Sequence, residues 1–438
     1  MNDSDTSVAT LANGVRVVTI RLPQQGSVSV SVFLRTGSRN ESRRLNGISH
    51  FVEHMAFKGT HERTCQQINL DAERLGAEVN AHTDKDHTAF HMHGLARDAG
   101  AFLRMLGDIV RNSSFPEAEL ERERQVILQE YAEDEDDPLS TAYKLFDSVS
   151  FGAHPIGQPV IGTRLNIERF TRDELLDYVQ RQYTGANVIV GVAGNVDPAA
   201  IVATAQEAFA SMPPGSANVV EPPVHLGGVK SRRHAGSSQT QVVLGFPIPG
   251  LADDDHHAGV VAAALFGEGM SSPLMDRLRE RRGLVYYAAC SADVMDLCGQ
   301  FVIEASTAPE HLNPFFDEVA ALLLEHADRI DPVGLERARN QIAVRTLRAR
   351  EKPSRRLEDA AQDLFTFGRV RSHAELLERV EAMPAEPVRL AFERMLASRP
   401  AVAMAGSVGR GVNERFFDRL GRGQASPAPR RYVSRRPL

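Results

Sequence analysis

The sequence predicts an α+β fold of two similar domains joined by a linker. Segments with the alternation typical of strands are interleaved with longer segments of helical periodicity. An apolar strand that ends in Ala-Gly-Asn-Val at 193–196 has a counterpart that ends in Ala-Gly-Ser-Val at 405–408. Between them, residues 213–228 contain the proline, glycine and serine typical of an extended linker. This recurrence indicates an internal duplication, and chance similarity between two buried strands is the competing interpretation.

The amino-terminal half is predicted to alternate strands with helices. Val28, Val30 and Val32 occupy every second position of one segment, which predicts a strand with one buried face. The elements predicted in this half are, in order, strands at 14–20 and 28–34, helices at 48–57 and 67–75, strands at 78–83 and 87–93, helices at 98–110 and 116–131, and a strand at 188–196 followed by a helix to 211. In the other half, a strand at 402–408 and a helix at 413–420 repeat that last pair.

These elements predict the domain limits. The first domain is expected at residues 1–212, the linker at 213–228 and the second domain at 229–421. Residues 422–438 carry several arginines and are expected to form a flexible basic tail, a solvated terminus rather than a binding arm.

Composition and charge exclude several classes of protein. The 438 residues are 42% hydrophobic and 24% charged, which is typical of a globular protein. A net charge of -7 argues against a general nucleic-acid binder. No run of about 18 apolar residues occurs, so no membrane span is expected.

Cysteine content and the first residues predict a cytoplasmic location. Cys65, Cys290 and Cys298 are too few and too scattered for a disulfide framework, and they suit a reducing compartment. Residues 1–7 are polar and acidic, without the basic and apolar regions of a secretion signal or the arginine-rich pattern of a mitochondrial presequence.

The most informative motif is His-Phe-Val-Glu-His at 50–54. Residues four apart share a helix face, so His50 and His54 can reach one metal ion, and Glu53 lies close to the same face. A carboxylate beside a metal ion is suited to deprotonating water for peptide hydrolysis. The alternative is a buried helix face with two satisfied histidines, but burying three polar groups in so apolar a segment is costly without a shared partner.

A catalytic zinc ion usually takes a third protein ligand, and the helix at 116–131 offers one. Glu123 and Glu130 are two turns apart on that helix, and Val126 and Ile127 between them predict an apolar face. Glu130 would then be the ligand, with Glu123 behind it in support. The alternative is that both glutamates are solvated, as most glutamates on charged helices are.

The other histidines are weaker candidates for a catalytic metal site. His91 and His93 share one face of a predicted strand and could bind a metal, with His82 and His87 nearby in the sequence. None of them has a water-activating carboxylate at a fixed spacing. They are interpreted as ordinary histidines, with His82 a possible neighbour of the active site.

Several segments together resemble the pitrilysin/insulinase family of zinc metallopeptidases, whose motif is H-x-x-E-H. The similarity is greatest to the short branch that contains the β subunit of mitochondrial processing peptidase and its bacterial relatives. The matching segments span most of the chain and are 47–60, 80–83 (Asn-Ala-His-Thr), 121–130 (E-R-E-R-Q-V-I-L-Q-E), 154–163, 183–196 and 278–286 (L-R-E-R-R-G-L-V-Y).

The resemblance implies one Zn²⁺ ion per chain. By the match of motifs, His50, His54 and Glu130 are its ligands, Glu53 is the catalytic base, and Glu123 supports the site.

The resemblance also implies a substrate-binding surface. A peptide would add as a strand beside Asn80 and Ala81, while Arg279 and Tyr286 would contact the substrate backbone. Two neighbouring features, His82 and the Tyr286–Tyr287 pair, are less typical of the family.

The fold and partners implied are those of half a clam-shell. Two α+β domains form each half, and short members close a chamber by dimerising. This chain is therefore expected to be a homodimer, or a heterodimer with a related subunit, that takes peptides as substrates and binds neither nucleic acid nor membrane.

The function implied is that of a zinc-dependent endopeptidase, which hydrolyses peptides or small unfolded polypeptides inside a closed chamber. The alternative is a non-catalytic or partner-dependent subunit of a heteromeric processing peptidase or core complex. Such chains usually carry degraded motifs, whereas the motif at 50–54 is intact.

Overall fold

The computed structural model describes residues 5–234, 236–408, 416–417 and 419–420. The strands are β1 (Thr6–Thr10), β2 (Arg16–Arg21), β3 (Ser27–Leu34), β4 (Glu78–Thr83), β5 (Thr88–Leu95), β6 (Val188–Gly194), β7 (Gly228–Arg232), β8 (Thr240–Ile248), β9 (Val285–Val294), β10 (Gly299–Thr307) and β11 (Ala401–Ala405). The helices of the first half are α1 (Ile48–Ala56), α2 (Cys65–Arg74), α3 (Ala99–Asn112), α4 (Glu117–Asp136), α5 (Pro138–Phe151), α6 (Arg164–Arg169), α7 (Arg172–Gln182) and α8 (Pro198–Phe209). Those of the second half are α9 (His256–Gly267), α10 (Pro273–Met275), α11 (Leu312–Asp328), α12 (Pro332–Ala349), α13 (Pro353–Phe367), α14 (His373–Glu381) and α15 (Ala385–Ala397).

One compact unit comprises residues 1–133, 158–220 and 346–376. Its sheet has the strand order β1-β2-β6-β3-β5-β4, in which β2 and β6 are parallel and the other neighbours antiparallel. Apolar side chains of α1, α3, α7 and α8 pack on one face of this sheet. β4 forms an edge, so one side of its backbone has no neighbouring strand within the sheet.

The other unit comprises residues 134–157, 221–345 and 377–438. Its sheet has the order β7-β11-β8-β10-β9, with β7 and β11 parallel and the other neighbours antiparallel. Side chains of α9, α11 and α15 form its main core with one face of the sheet.

The two sheets share one topology. The series β2-β6-β3-β5-β4 corresponds to β7-β11-β8-β10-β9 in order and in the direction of every pairing. The two Ala-Gly strands, β6 and β11, hold equivalent central positions. The prediction of two similar α+β domains is therefore confirmed.

The opposite face of each sheet is covered by a helix from a distant part of the sequence. Leu357 and Leu364 of α13 pack on the first sheet, and Ala142 and Phe146 of α5 pack on the second. Each compact unit therefore takes in three stretches of the chain, whereas the predicted domains, 1–212 and 229–421, are continuous.

The cover supplied by α13 changes the environment of β3. The alternation of valines predicts one exposed face, but Ser29, Ser31 and Phe33 on the other face are 5%, 3% and 1% exposed. That part of the prediction is wrong, because Phe33 packs in the same apolar cluster as α13. β3 is a central strand covered on both sides.

The remaining elements fall close to their predicted positions. The helix predicted at 116–131 continues to Asp136 as α4, and residues 213–227 contain no helix or strand before β7 begins. Half of the helix predicted at 413–420 (413–415 and 418), and the whole tail 422–438, lie outside the described residues. Within the described part of the chain, no helix combines the length and hydropathy needed to cross a bilayer.

Candidate metal centre

The helix α1 begins at a tight backbone crossing. Gly47, at its amino-terminal cap, has φ 96°, in the left-handed region that favours glycine. A Cβ atom there would lie 2.8 Å from the carbonyl oxygen of Ile161 and 2.8 Å from Cα of Gly162. Only glycine fits this crossing, which holds the start of α1 against the 159–162 turn.

A buried carboxylate fixes the first turn of α1. Glu41 is 1% exposed, and its oxygens accept hydrogen bonds from the backbone N–H groups of Gly47 and Ser49, each at 2.8 Å, and from Asn46 Nδ2 at 3.1 Å. Burial raises the pKa of Glu41, although these hydrogen bonds oppose that effect. A helix N-terminus carries N–H groups without intrahelical partners, which Glu41 satisfies here.

Three possible metal ligands converge between α1 and α4. The donor atoms of His50, His54 and Glu130 all lie within 4.8 Å of one another. Glu130 Oε2 is 3.8 Å from His50 Nε2 and 3.4 Å from His54 Nε2. The imidazoles are each 17% exposed and Glu130 is 40% exposed at the side chain, so the cluster lies at an accessible surface of the unit.

A second glutamate of α4, Glu123, contacts the imidazole of His54. Glu123 Oε2 lies 3.1 Å from His54 Nδ1, and Lys58 Nζ lies 2.6 Å from Glu123 Oε1. This contact orients the His54 ring so that Nε2 faces Glu130. Nδ1 of His50 is buried and has no hydrogen-bond partner among the described residues. The second ring is therefore oriented without a hydrogen bond at Nδ1, by packing that includes the edge of the His54 ring, 4.7 Å away between centroids.

The two histidines have opposite pKa shifts. Burial, together with the neighbouring His54, lowers the pKa of His50 to about 4. Burial also disfavours protonated His54, but hydrogen bonds to Glu123 and Glu130 outweigh it and raise the pKa to about 9. A proton on His54 thus balances the two carboxylates, and a divalent cation could replace that proton.

Glu53 lies on α1 with His50 and His54, and one of its carboxylate oxygens accepts a hydrogen bond. Thr83 Oγ1 at the end of β4 donates a hydrogen bond to Glu53 Oε2 at 2.6 Å. Burial raises the pKa of Glu53, and the Thr83 hydrogen bond opposes this. A half-buried carboxylate with a raised pKa is suited to taking up and returning a proton.

The donor set fits a zinc ion. Two imidazole nitrogens and one carboxylate oxygen are ligands that Zn²⁺ binds, and three protein ligands leave a fourth position for water or substrate. The carboxylate on His54 Nδ1 adds the outer contact typical of such sites. The residues predicted from the motif and from the resemblance are therefore brought together in one cluster.

The prediction about the face of α4 is correct only in part. Glu123 and Ile127 are buried, but Val126 is 43% exposed. The apolar face predicted to carry the two glutamates is therefore buried at Ile127 but not at Val126. A length of two turns still places both glutamates towards α1, because seven residues nearly complete two helical turns.

The predicted strand-addition residues lie on the edge strand β4. Asn80 is exposed and Ala81 half-buried. The backbone N–H of Ala81 donates to Asn80 Oδ1 at 2.8 Å. A peptide pairing with this edge would compete with that local contact.

Arg279 and Tyr286 lie together in the other compact unit. The guanidinium carbon of Arg279 is 5.2 Å from the centroid of the Tyr286 ring, and Tyr286 is 78% exposed. A cation over an aromatic face holds both side chains in one orientation. The pair is thus an accessible surface feature.

Sequence reasoning missed three residues that support the cluster. Glu41 holds the start of α1, Thr83 holds Glu53, and Lys58 neutralises Glu123. Lys58 lies two residues beyond the end of α1 and could have been suspected from its closeness in sequence to the motif. The other two have no signal in the spacing, because their contacts depend on tertiary structure.

Comparisons with known proteins agree with this architecture. A family model described as Insulinase (Peptidase family M16) matches residues 16–164, which include His50, Glu53, His54 and Glu130. A second model, described as Peptidase M16 inactive domain, matches residues 169–342.

Similar proteins cover nearly the whole chain. An uncharacterized zinc protease of Rickettsia felis is 31% identical over 401 residues, 91% of this chain and 97% of the relative. Another from Rickettsia bellii is 33% identical over the same shares. A protease from Helicobacter pylori has a TM-score of 0.84 at 22% identity, with coverage of 92% and 99% of the two chains. A chain of Complex III2 from Candida albicans has a TM-score of 0.83 at 17% identity, with coverage of 94% and 99%. The two solved structures show a shared fold.

The resemblance stated from the sequence is thereby confirmed. Two family models together match most of the chain, and relatives above 30% identity extend over 91% of it. The protein belongs to the insulinase family of peptidases, peptidase family M16.

Proposed function

We propose that the protein is a zinc-dependent endopeptidase in which His50, His54 and Glu130 hold one ion per chain. The observation that carries this proposal is the convergence of their three donor atoms within 4.8 Å, beside a carboxylate on the same helix. The names of the relatives, zinc proteases, support the choice of metal.

Glu53 is assigned the proton transfers. When bound, a zinc ion supplies Lewis acidity, which makes water easier to deprotonate and polarises a carbonyl group. Glu53 accepts the proton of the attacking water and returns it to the leaving nitrogen. Thr83 donates to Glu53 Oε2 and leaves the second oxygen for water. Glu123 keeps the His54 ring in position.

The substrate is proposed to be a peptide or a small unfolded polypeptide in extended conformation. Such a chain can pair with the edge strand β4 beside Asn80 and Ala81, where backbone hydrogen bonds supply affinity without sequence preference. The half-buried Arg279 and the exposed Tyr286 are proposed to contact the substrate backbone.

The assembly is proposed to be a homodimer that encloses the substrate in a chamber. Membership of a family whose short members dimerise supports this, and one structural neighbour is part of a multisubunit complex. A heterodimer with a related subunit is the alternative.

The test replaces the proposed base without disturbing the ligands. Glu53→Gln keeps the shape of the side chain but cannot accept a proton, so peptide hydrolysis is expected to fall at least about 10²-fold. Zinc content, measured by elemental analysis, is expected to stay at the parent level. Glu73→Gln, an exposed glutamate of α2, is the matched control and should keep full activity.

Two results distinguish this proposal from its alternative. A Glu53→Gln protein as active as the parent would refute the mechanism. A parent protein without zinc and without activity would favour a non-catalytic subunit of a larger complex, and one protein of the same fold is a chain of such a complex.

A further inference from the structure

A second cluster of metal-binding side chains lies at the turn between β4 and β5. His82, Asp84 and His87 each offer a ligand atom, and the three atoms lie within 4.8 Å of one another. None of them belongs to the cluster formed by α1 and α4. The geometry points to a second metal site, in which His82, Asp84 and His87 bind a zinc-type divalent cation.

The spacing of the two imidazoles matches that of two ligands on one ion. His82 Nε2 and His87 Nε2 are 3.4 Å apart, with their rings at 86°. Two nitrogens bound to one tetrahedral zinc ion at about 2.05 Å lie about 3.3 Å apart. A hydrogen bond from N–H to oxygen in proteins is usually shorter, about 2.9–3.0 Å. The two nitrogens are therefore already separated by the distance expected between two ligands of one zinc ion.

A neighbouring carboxylate orients one of the rings. Asp86 Oδ1 lies 2.8 Å from His87 Nδ1. When Nδ1–H donates to that carboxylate, the lone pair of the neutral ring is on Nε2, the atom that faces His82. The Phe33 ring, 6.2 Å from the His87 ring between centroids, packs beside it. His87 is therefore preoriented by the same kind of outer contact that Glu123 makes with His54.

The charge around the cluster favours a cation. Asp84 and Asp86 flank the imidazoles, and Glu358 of α13 is close enough to act electrostatically on both His82 and His87. Arg39 acts on Asp86 from the other side and offsets part of that charge. Glu358 is itself paired with Arg355 at 3.1 Å, so Asp84 and Asp86 carry most of the negative charge that would favour a divalent ion.

The donor types select a class of metal. Two imidazoles and one carboxylate suit zinc and its neighbours in the first transition row, whereas Mg²⁺ and Ca²⁺ prefer oxygen ligands alone. Asp84 is exposed and both histidines are half-buried, so an ion can enter from solvent. Such an ion would join the end of β4 to the residue that precedes β5.

Metal counting on the full chain tests the inference and keeps it separate from the peptidase proposal. The parent is expected to bind about two zinc ions per chain at saturation, measured by titration calorimetry and by elemental analysis after dialysis. His50→Ala/His54→Ala and His82→Ala/His87→Ala are each expected to bind about one. The variant with all four histidines replaced is expected to bind no zinc. Mg²⁺ should not compete with zinc for either site.

A matched control and a stability readout guard against misfolding. His61→Ala removes an exposed histidine of the same unit and should keep both ions. In the His50→Ala/His54→Ala background, added zinc should raise the unfolding midpoint, since a ligand that binds only the folded state stabilises it. That rise should disappear with the milder Asp84→Asn/His87→Gln change.

The outcomes are distinct for the two sites. If His82→Ala/His87→Ala binds as much zinc as the parent, the pair is only hydrogen-bonded and the second site does not exist. The same conclusion follows if zinc leaves the unfolding midpoint of the His50→Ala/His54→Ala protein unchanged. Loss of zinc from His82→Ala/His87→Ala alone, with none lost from His50→Ala/His54→Ala, would keep this site and refute the proposed catalytic one.

Discussion

Glu123 is not one of the three possible ligands, yet the contact it makes with His54 should control zinc affinity. Its oxygens contact His54 Nδ1 at 3.1 Å and Lys58 Nζ at 2.6 Å. Glu123→Gln keeps the shape but removes the charge that makes His54 a stronger ligand. Zinc affinity, measured by competition with a chelating dye, should fall about 10–100-fold. Glu133→Gln, exposed on the same helix, is the control, and equal affinities in both variants would contradict this role.

The hydroxyl of Thr83 should matter for turnover more than for binding. It donates to Glu53 Oε2 at 2.6 Å, so its removal leaves the proposed base without that partner. Thr83→Val is expected to lower kcat several-fold with little change in KM, while Thr83→Ser, which keeps the hydroxyl, should restore most of the rate. A kcat that is equal in the valine and serine variants would show that the hydrogen bond has no part in the reaction.

The residues of the candidate site were predictable to different degrees. His50, Glu53 and His54 follow from the regular helix, since a spacing of four residues determines a shared face. Glu130 is identified as a ligand only by the family resemblance. Its spacing from Glu123 was supported by an apolar face that includes Val126, and Val126 is exposed. The His82–His87 pair needs the β4–β5 pairing, which brings residues across a turn together, and the role of Thr83 needs the contact between β4 and α1.

The buried carboxylate at the start of α1 links the stability of one helix to the geometry of the site. Glu41→Gln keeps one acceptor oxygen but directs an NH₂ group at a backbone N–H of Gly47 or Ser49. Leaving a buried donor unsatisfied costs about 1–3 kcal/mol. The unfolding midpoint in thermal denaturation should fall, and zinc affinity with it. Glu62→Gln, an exposed change, should alter neither, and an unchanged midpoint for Glu41→Gln would exclude the capping role.

The helices that cover the outer sheet faces show where prediction from sequence ends. The spacing of Leu357, Ala361 and Leu364 identifies an apolar stripe on α13. Nothing in that stripe tells which sheet it covers, since any flat apolar face would accept it. The same cover explains why Ser29 and Ser31 are buried in a strand whose alternation predicts exposure. Long-range partners, unlike local periodicity, are not encoded in the spacing of residues.

At the scale of the whole molecule, duplication gives two sheets of one topology but different side chains. The metal-type donors lie in the first compact unit, while Arg279 and Tyr286 lie in the second. In the proposed function, the first copy of the duplicated fold carries the catalytic residues and the second copy contacts the substrate. This division agrees with the separate family models for residues 16–164 and 169–342.

The proposed chamber makes activity depend on association. If two chains must close around a peptide, the protein should elute at about twice its 48.0 kDa mass, and specific activity should fall when dilution separates the chains. Sizing is best done with Glu53→Gln, which should not digest itself, and activity should be followed with the parent over a wide range of concentration. Zinc is added at constant excess, so that a fall in activity on dilution reflects dissociation of the chains and not loss of the metal. A monomeric protein whose activity per chain stays constant on dilution would show that one chain suffices, and the chamber proposal would then be wrong even if the zinc site is right.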